Sequence, residues 1–193
     1  MSEQIATESP DDGTTRTPGR GENVLVLAAS MDPAAEEVCG RLAGGSDGLL
    51  LVSVSDDPDR RLNTIAARGG RPDRVAAVSC DSARGAVATA TPAADHDHGC
   101  TTVTDPGDLT GLGINIDRAL ESMADLEDPT LCLHSLTTLL QYGEPRQVYR
   151  FCHAVTRKAK AAGANAHFHL DPGTVDDRTV RTFRSLFDRT VEP

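Results

Sequence analysis

The chain has 193 residues, enough for one compact domain with a sizeable buried core. Its formal charge of -10 rests on 20 Asp and 9 Glu against 17 Arg and 2 Lys, which argues against a nucleic-acid partner, because a net negative domain gains little from counterion release. No apolar stretch precedes Val24 and no segment approaches the ~18 continuous apolar residues of a membrane span, so a soluble, cytoplasmic protein is expected.

Residues 1–22 are rich in Ser, Thr, Pro, Gly and Asp and nearly devoid of apolar side chains. They lack the surface to offset ordering entropy and read as a disordered tail, leaving 23–193 as a single domain. Val24 to Ala29 reads as a buried strand. A helix follows over Pro33 to Ala43, with Asp32 as N-cap and Pro33 in the first turn. Leu49 to Val54 is a second strand and Pro58 to Arg68 a second helix, stopped at Gly69 and Gly70. Val75 to Ser79 is a third strand. Residues 82–108 lack a clear period and carry many Gly, Pro and Ala, so an irregular insertion or small hairpin is expected. Leu109 to about Leu126 has helical spacing, with Leu112, Ile116, Leu120 and Met123 on one face. Thr130 to Leu136 is a fourth core strand. A helix over 146–162, a strand at Ala166 to Leu170, a helix over about 176–187 and an edge strand at Arg189 to Glu192 complete the chain. Continuous apolar strands alternating with helices predict a parallel sheet covered on both faces. In such sheets the ligand crevice lies beyond the carboxyl ends of the strands.

The Asp-rich, Lys-poor composition matches proteins of salt-loving archaea, whose acidic surfaces keep them soluble where salt screens repulsion; a GC-rich genome is the plainer explanation. The five cysteines, Cys39, Cys80, Cys100, Cys132 and Cys152, are odd in number and lack CxxC spacing. Reduced, mostly buried thiols are expected rather than a disulfide framework.

Four stretches resemble the KaiC-like branch of the RecA superfamily of P-loop ATPases, in the divergent form found in halophilic archaea. "NVLVLAASMDPAAEEVCGRL" sits where the family has its phosphate loop, and "GLLLVSVSDDPDRRL" resembles its second strand, which ends in an acidic pair. "PTLCLHSLTTLLQYG" resembles the Walker B strand, and "AHFHLDPGTVDDRTVRTFRSLFDRTVEP" the closing strand, helix and edge strand. The resemblance implies a three-layer RecA-like P-loop NTPase fold, α/β, with a mostly parallel sheet of about 5–6 strands and helices on both faces. It also locates two departures. The phosphate-loop position, Ser30, Met31 and Asp32, has no glycine, Lys or following hydroxyl, so the backbone nest and its positive charge are missing. At the Walker B position the magnesium-binding Asp is replaced by His134, followed by Ser135, and magnesium is poorly served by imidazole.

Several residues remain as candidates. If the chain were an enzyme, Asp56 and Asp57 would be its general base and neighbour; the plainer reading is that they cap the second helix. His134 reads as a ligand or an acid/base at the mouth of the crevice, or as a strand-end histidine hydrogen-bonded to a neighbouring loop. His167 and His169 share one side of their strand, and in the RecA strand order His169 approaches His134, where a transition-metal site is conceivable but short of the four ligands a closed zinc site needs. His96, His98 and Cys100 alternate along "DHDHGC" and offer zinc or nickel ligands, against a solvated loop. Arg146, Arg150, Arg157, Lys158 and Lys160 concentrate positive charge on one helix, as a partner-facing or merely solvated surface. The leading expectation is a non-catalytic domain acting in regulation or signalling by binding another protein, with oligomerisation left open and no cofactor. The alternatives are an ATPase with an atypical loop, using ATP and magnesium, and a small metal-binding module at 95–100.

Overall fold

A computed structural model describes residues 19–30, 32–54, 56–70, 72–80 and 99–193. Seven strands, β1 (Asn23–Leu27), β2 (Gly48–Val54), β3 (Arg74–Cys80), β4 (Gly99–Val103), β5 (Pro129–His134), β6 (Asn165–Leu170) and β7 (Arg189–Val191), pair in parallel in the order β4-β3-β2-β5-β6-β1-β7. The helices are α1 (Pro33–Ala43), α2 (Pro58–Gly69), α3 (Leu109–Glu121), α4 (Leu136–Tyr142), α5 (Pro145–Ala161) and α6 (Asp177–Arg184). This is a three-layer RecA-like α/β fold, as expected, with two layers of helices enclosing the sheet.

Alternation along the strands decides which side chain meets which layer. Leu25, Leu50, Val52, Leu131, Leu133, Ala166 and Phe168 point to the face covered by α3, α4, α5 and α6 and form the larger core with Leu112, Ile116, Val148, Val155 and Phe183. The intervening residues Leu49, Leu51 and Cys132 face α1 and α2, where Cys39, Ala43 and Ile65 pack on them. Both helices of this second layer start as the sequence dictates: the Asp32 carboxylate accepts from the Ala34 amide, the Asp57 carboxylate from Asp59, and a proline follows each cap. The α2 helix stops at Gly70, at φ +90.

Three expectations need correction. The sheet has seven strands among the described residues, not about 5–6. The additional one is β4, in the stretch expected to be irregular; it extends the sheet beside β3, with Ala76 opposite Gly99 and Cys80 opposite Val103. The fourth core strand ends at His134 rather than Leu136, because Ser135 caps a helix that the apolar pattern concealed; its hydroxyl accepts from the Thr138 amide at 3.1 Å. Of the expected disordered tail, residues 1–22, positions 1–18 lie outside the described residues, whereas Gly21 and Glu22 are buried and the Glu22 amide donates to the Asn165 side chain at 3.2 Å.

Among the described residues, no helix is long and apolar enough to cross a membrane. The closing strand is fastened to the first at several points. Asp188 accepts from the Asn23 amide at 2.9 Å and from Lys160 at 3.1 Å. Arg189 donates to Glu22 at 3.2 Å, with both side chains nearly buried.

Candidate functional site

Because all seven strands run the same way, the carboxyl ends of β1, β2, β5 and β6 open on one side, and a crevice of about 250 Å³ lies there. Its walls include Ser30 from the turn after β1, Asp56 and Arg61 from the start of α2, His134 at the end of β5, and His169 and Asp171 at the end of β6. The volume lies below the roughly 300–1,000 Å³ of sites that bury a drug-sized ligand.

The turn after β1 spends its donors on the chain itself. The Ser30 amide and hydroxyl both donate to one Asp171 carboxylate oxygen, at 3.0 and 3.1 Å. The Ala28 amide donates to the Leu170 carbonyl and the Asp32 amide to Ala29. At the start of α1 the Asp32 carboxylate takes the Ala34 amide, so a negative group sits where a phosphate-binding helix would present open N–H groups. The amides of Ser30 and Gly173 hold the Asp171 carboxyl below its usual range, against the partial burial that opposes them. Met31, also expected at the phosphate-loop position, lies outside the described residues.

At the end of β5, Arg61 donates to the His134 ring, 2.7 Å from Nε2 and 3.2 Å from Nδ1, and lies 3.4 Å from the Asp56 carboxylate. Arginine only donates, so the imidazole nitrogen facing it is unprotonated. Burial, with the His169 and Arg61 charges, pushes the His134 pKa down to about 2. His134 is therefore a neutral acceptor. Asp57 is not beside it in any hydrogen bond; its carboxylate caps α2. The Asp56 carboxylate stays partly exposed in the crevice wall, between Arg61 at 3.4 Å and His134 Nδ1 at 3.8 Å.

Beneath this crevice lies a group that residue-by-residue reading did not assemble. Cys39 of α1, Cys132 of β5, and His167 and His169 of β6 are all buried, and one ligating atom from each lies within 4.8 Å of every other. Cys39 Sγ is 3.6 Å from Cys132 Sγ and 3.3 Å from His167 Nε2. Strand register brings the last three together, since Cys132 sits directly opposite His167 in the parallel β5–β6 pair, and His169 follows two residues on along the same face. The expected approach of His134 to His169 is present, with ring centroids 5.2 Å apart. The hydrogen bond from Cys132 draws the Cys39 thiol well below its usual pKa despite burial, while the same bond and burial push Cys132 up. Burial lowers His169. The available signal was "NAHFHL", where Ala166 and Phe168 turn into the main core and leave both histidines on the other face; the sulfurs could be added only with the register known.

The remaining candidates are dispersed. Cys100 is exposed on the edge strand β4, and His96 and His98 lie outside the described residues. Along α5, Arg146, Arg150, Arg157, Lys158 and Lys160 are all exposed. Lys158 pairs with Asp117 at 2.6 Å and Lys160 with Asp188 at 3.1 Å. The aromatic neighbours are turned inward: Phe151 is buried in the main core, and Tyr149 packs edge-on against Phe183 at 5.8 Å. Between α3 and α5 runs a groove of about 510 Å³, lined by Ile114, Gln147, Arg150, Phe151, Ala154 and Lys158 among others, and Ile114 stands 48% exposed at its side.

A family model described as "Family of unknown function (DUF7504)" matches residues 21–193. Comparison with curated proteins gives no match. Among solved structures, the chain is similar to one from Pyrococcus horikoshii OT3, described as "Structural study of Project ID PH0250", with a TM-score of 0.54 and 11% identity over 90% of this chain and 82% of that one. At that identity the likeness speaks for the fold alone.

Proposed function

This chain belongs to the family of unknown function DUF7504, and we propose that it is a non-catalytic, KaiC-like domain that works by binding another protein in regulation or signalling. One observation carries the reading: Asp171 takes the Ser30 amide and hydroxyl of the loop after β1 and Asp32 takes the Ala34 amide at the start of α1, so the chain's own carboxylates lie where a phosphate would be held. Beside it, a neutral His134 held by Arg61 replaces a magnesium carboxylate. Phosphoryl transfer depends on positioning groups and a metal to neutralise developing charge, and among the described residues the turn after β1 has no glycine or Lys and the end of β5 no carboxylate for that work. A packed sheet without that chemistry still presents its outer helices as an interface.

The surface this reading assigns to the partner is the groove between α3 and α5, where an apolar floor with Ile114 is bordered by Arg150, and Arg146 and Arg157 have no carboxylate partner among the described residues. It fits an acidic, amphipathic segment, with apolar contact supplying the affinity and charge the encounter rate. Two measurements test the proposal. Calorimetric titration with ATP and magnesium should give no heat of binding and no hydrolysis above background, and turnover abolished by Asp57→Asn would return the chain to the ATPases. A complex isolated with the wild-type protein should be lost with Arg146→Glu, Arg150→Glu and Arg157→Glu together, and should survive Asp56→Ala with Asp57→Ala. A complex indifferent to the three reversals would place the interface elsewhere.

The acidic composition supports a high-salt, archaeal setting for the same protein. Ten excess negative charges repel one another in the compact state and are screened within ~3 Å at 1 M salt. The unfolding midpoint, followed by circular dichroism, is expected to rise through a potassium chloride series; a flat or falling midpoint would remove this inference.

A further inference from the structure

We infer that Cys39, Cys132, His167 and His169 form a closed binding site for a single tetrahedral transition-metal ion, zinc being the best match, which ties α1 to the centre of the sheet. Its ligands are other residues than those of the 95–100 stretch, and it does not depend on the protein-binding role proposed above.

The ligand set is the first argument. Two thiolates and two imidazoles are the donors of structural zinc sites, and a fully protein-supplied set of four leaves no open coordination position. With Zn–S about 2.3 Å and Zn–N about 2.0–2.1 Å, a tetrahedron has edges of about 3.8 Å between sulfurs and about 3.5 Å between sulfur and nitrogen. The observed 3.6 Å between Cys39 and Cys132 and 3.3 Å between Cys39 and His167 Nε2 already lie near those edges. The remaining pairs lie within 4.8 Å and need to close by at most about 1.5 Å.

Charge is the second. Binding a divalent ion releases the two thiol protons to solvent and leaves two thiolates, two neutral imidazoles and a dication, with no net charge. A neutral centre avoids the cost of an unpaired ion in a buried place. Without a metal the same place holds a polar deficit, since His169 Nε2 is buried with no hydrogen-bond partner among the described residues. A Cys39–Cys132 disulfide would satisfy the sulfurs alone, would require them to close from 3.6 Å to about 2.05 Å, and would leave the imidazoles as they are. Metal on His167 Nε2 still leaves its Nδ1 without an outer acceptor, so the site should bind more weakly than one with a complete second layer, by about 10–100-fold. An entry path exists, because His169 also lines the crevice.

The ligands also belong to different elements. Three stand on adjacent central strands and the fourth on α1, so an ion would clip the helix that follows the β1 turn onto β5 and β6, stabilising that layer rather than performing chemistry.

The test uses the full chain, purified under reducing conditions, stripped with chelator and titrated with Co²⁺ and then Zn²⁺. Expected are the visible absorption of tetrahedral cobalt together with a thiolate-to-cobalt charge-transfer band, saturation at one ion per chain, and displacement of both signals by zinc. The unfolding midpoint should rise on zinc addition. Cys132→Ser and His169→Asn, each near the original in shape, should weaken cobalt binding at least tenfold and shift the spectrum according to the atom lost. Cys152→Ser, buried on the opposite face, should leave the spectrum unchanged. The inference is overturned if folded wild-type protein takes up neither metal, if bound cobalt shows octahedral absorption without thiolate bands, or if mass spectrometry finds Cys39 and Cys132 joined as a disulfide in metal-free protein from reducing preparations.

Discussion

Leu133→Ala should destabilise the domain by ~2–5 kcal/mol and lower the unfolding midpoint by roughly 4–20 °C. Leu133 is fully buried on β5, between Val52 of β2 and Phe168 of β6. Its side chain points into the larger core, where the covering helices cannot collapse onto a void without lifting from several strands at once. Deleting its methyl groups thus removes both transfer free energy and packing partners. Ile114→Ala offers the contrast, since 48% exposure leaves little burial to lose and a change of under ~0.5 kcal/mol is expected for a surface site. Thermal unfolding of the two variants beside the wild type decides the matter. Equal, small effects would mean that β5 is not central, and the strand order would have to be redrawn.

That β5 is central was legible from its sequence, because "TLCL" is apolar on both alternating sets and only a strand covered on both faces calls for that. The same logic recovered β1, β2, β3 and β6, and the Asp–Pro pairs at Asp32 and Asp57 fixed the starts of α1 and α2. What failed did so for local reasons. In β4, "GCTTV" is a short polar edge strand whose pairing is supplied by β3 alone, so it has no apolar signature. The boundary between β5 and α4 was hidden because leucines recur on both sides of it, at Leu131 and Leu133 and again at Leu136, Leu139 and Leu140; the Ser135 cap was the informative residue. The crevice positions followed from the parallel sheet, but their occupants did not. That Arg61 would hold His134, and Asp171 the Ser30 amide, depends on side chains from elements far apart in the chain. The Cys39–Cys132–His167–His169 group is the extreme case: the shared face of the two histidines is a local property of one strand, whereas the sulfurs arrive through β5–β6 register and the rotation of α1 about its axis.

Gly69→Ala should also unfold the domain more easily, although alanine is the better helix former by ~1 kcal/mol. The α1 and α2 helices meet through three glycines. A Cβ built on Gly69 would lie 1.8 Å from the Gly40 carbonyl oxygen, one on Gly40 would lie 2.6 Å from Arg68 Cβ, and one on Gly44 would lie 2.6 Å from the Gly69 carbonyl oxygen. All of these obstacles except Arg68 Cβ are backbone atoms, so no rotamer change relieves the clash at Gly69 and the helices themselves must separate. Overpacking of this kind costs typically ~1–3 kcal/mol and sometimes more, which outweighs the gain in propensity. The opposite sign is expected at Gly113 of α3, where the nearest atom to an added Cβ is Phe151 at an ordinary 3.8 Å; Gly113→Ala should stabilise by ~0.4–1 kcal/mol. Separation of the helices has a local consequence as well. Cys39 immediately precedes Gly40, so pushing α1 off α2 carries its sulfur away from the position 3.3 Å from His167. Denaturant titration of both glycine variants reads the two signs directly. If Gly69→Ala proves as stable as the wild type, the helices are not held at glycine-contact distance, and the placement of α1 over β5 and β6 loses its support.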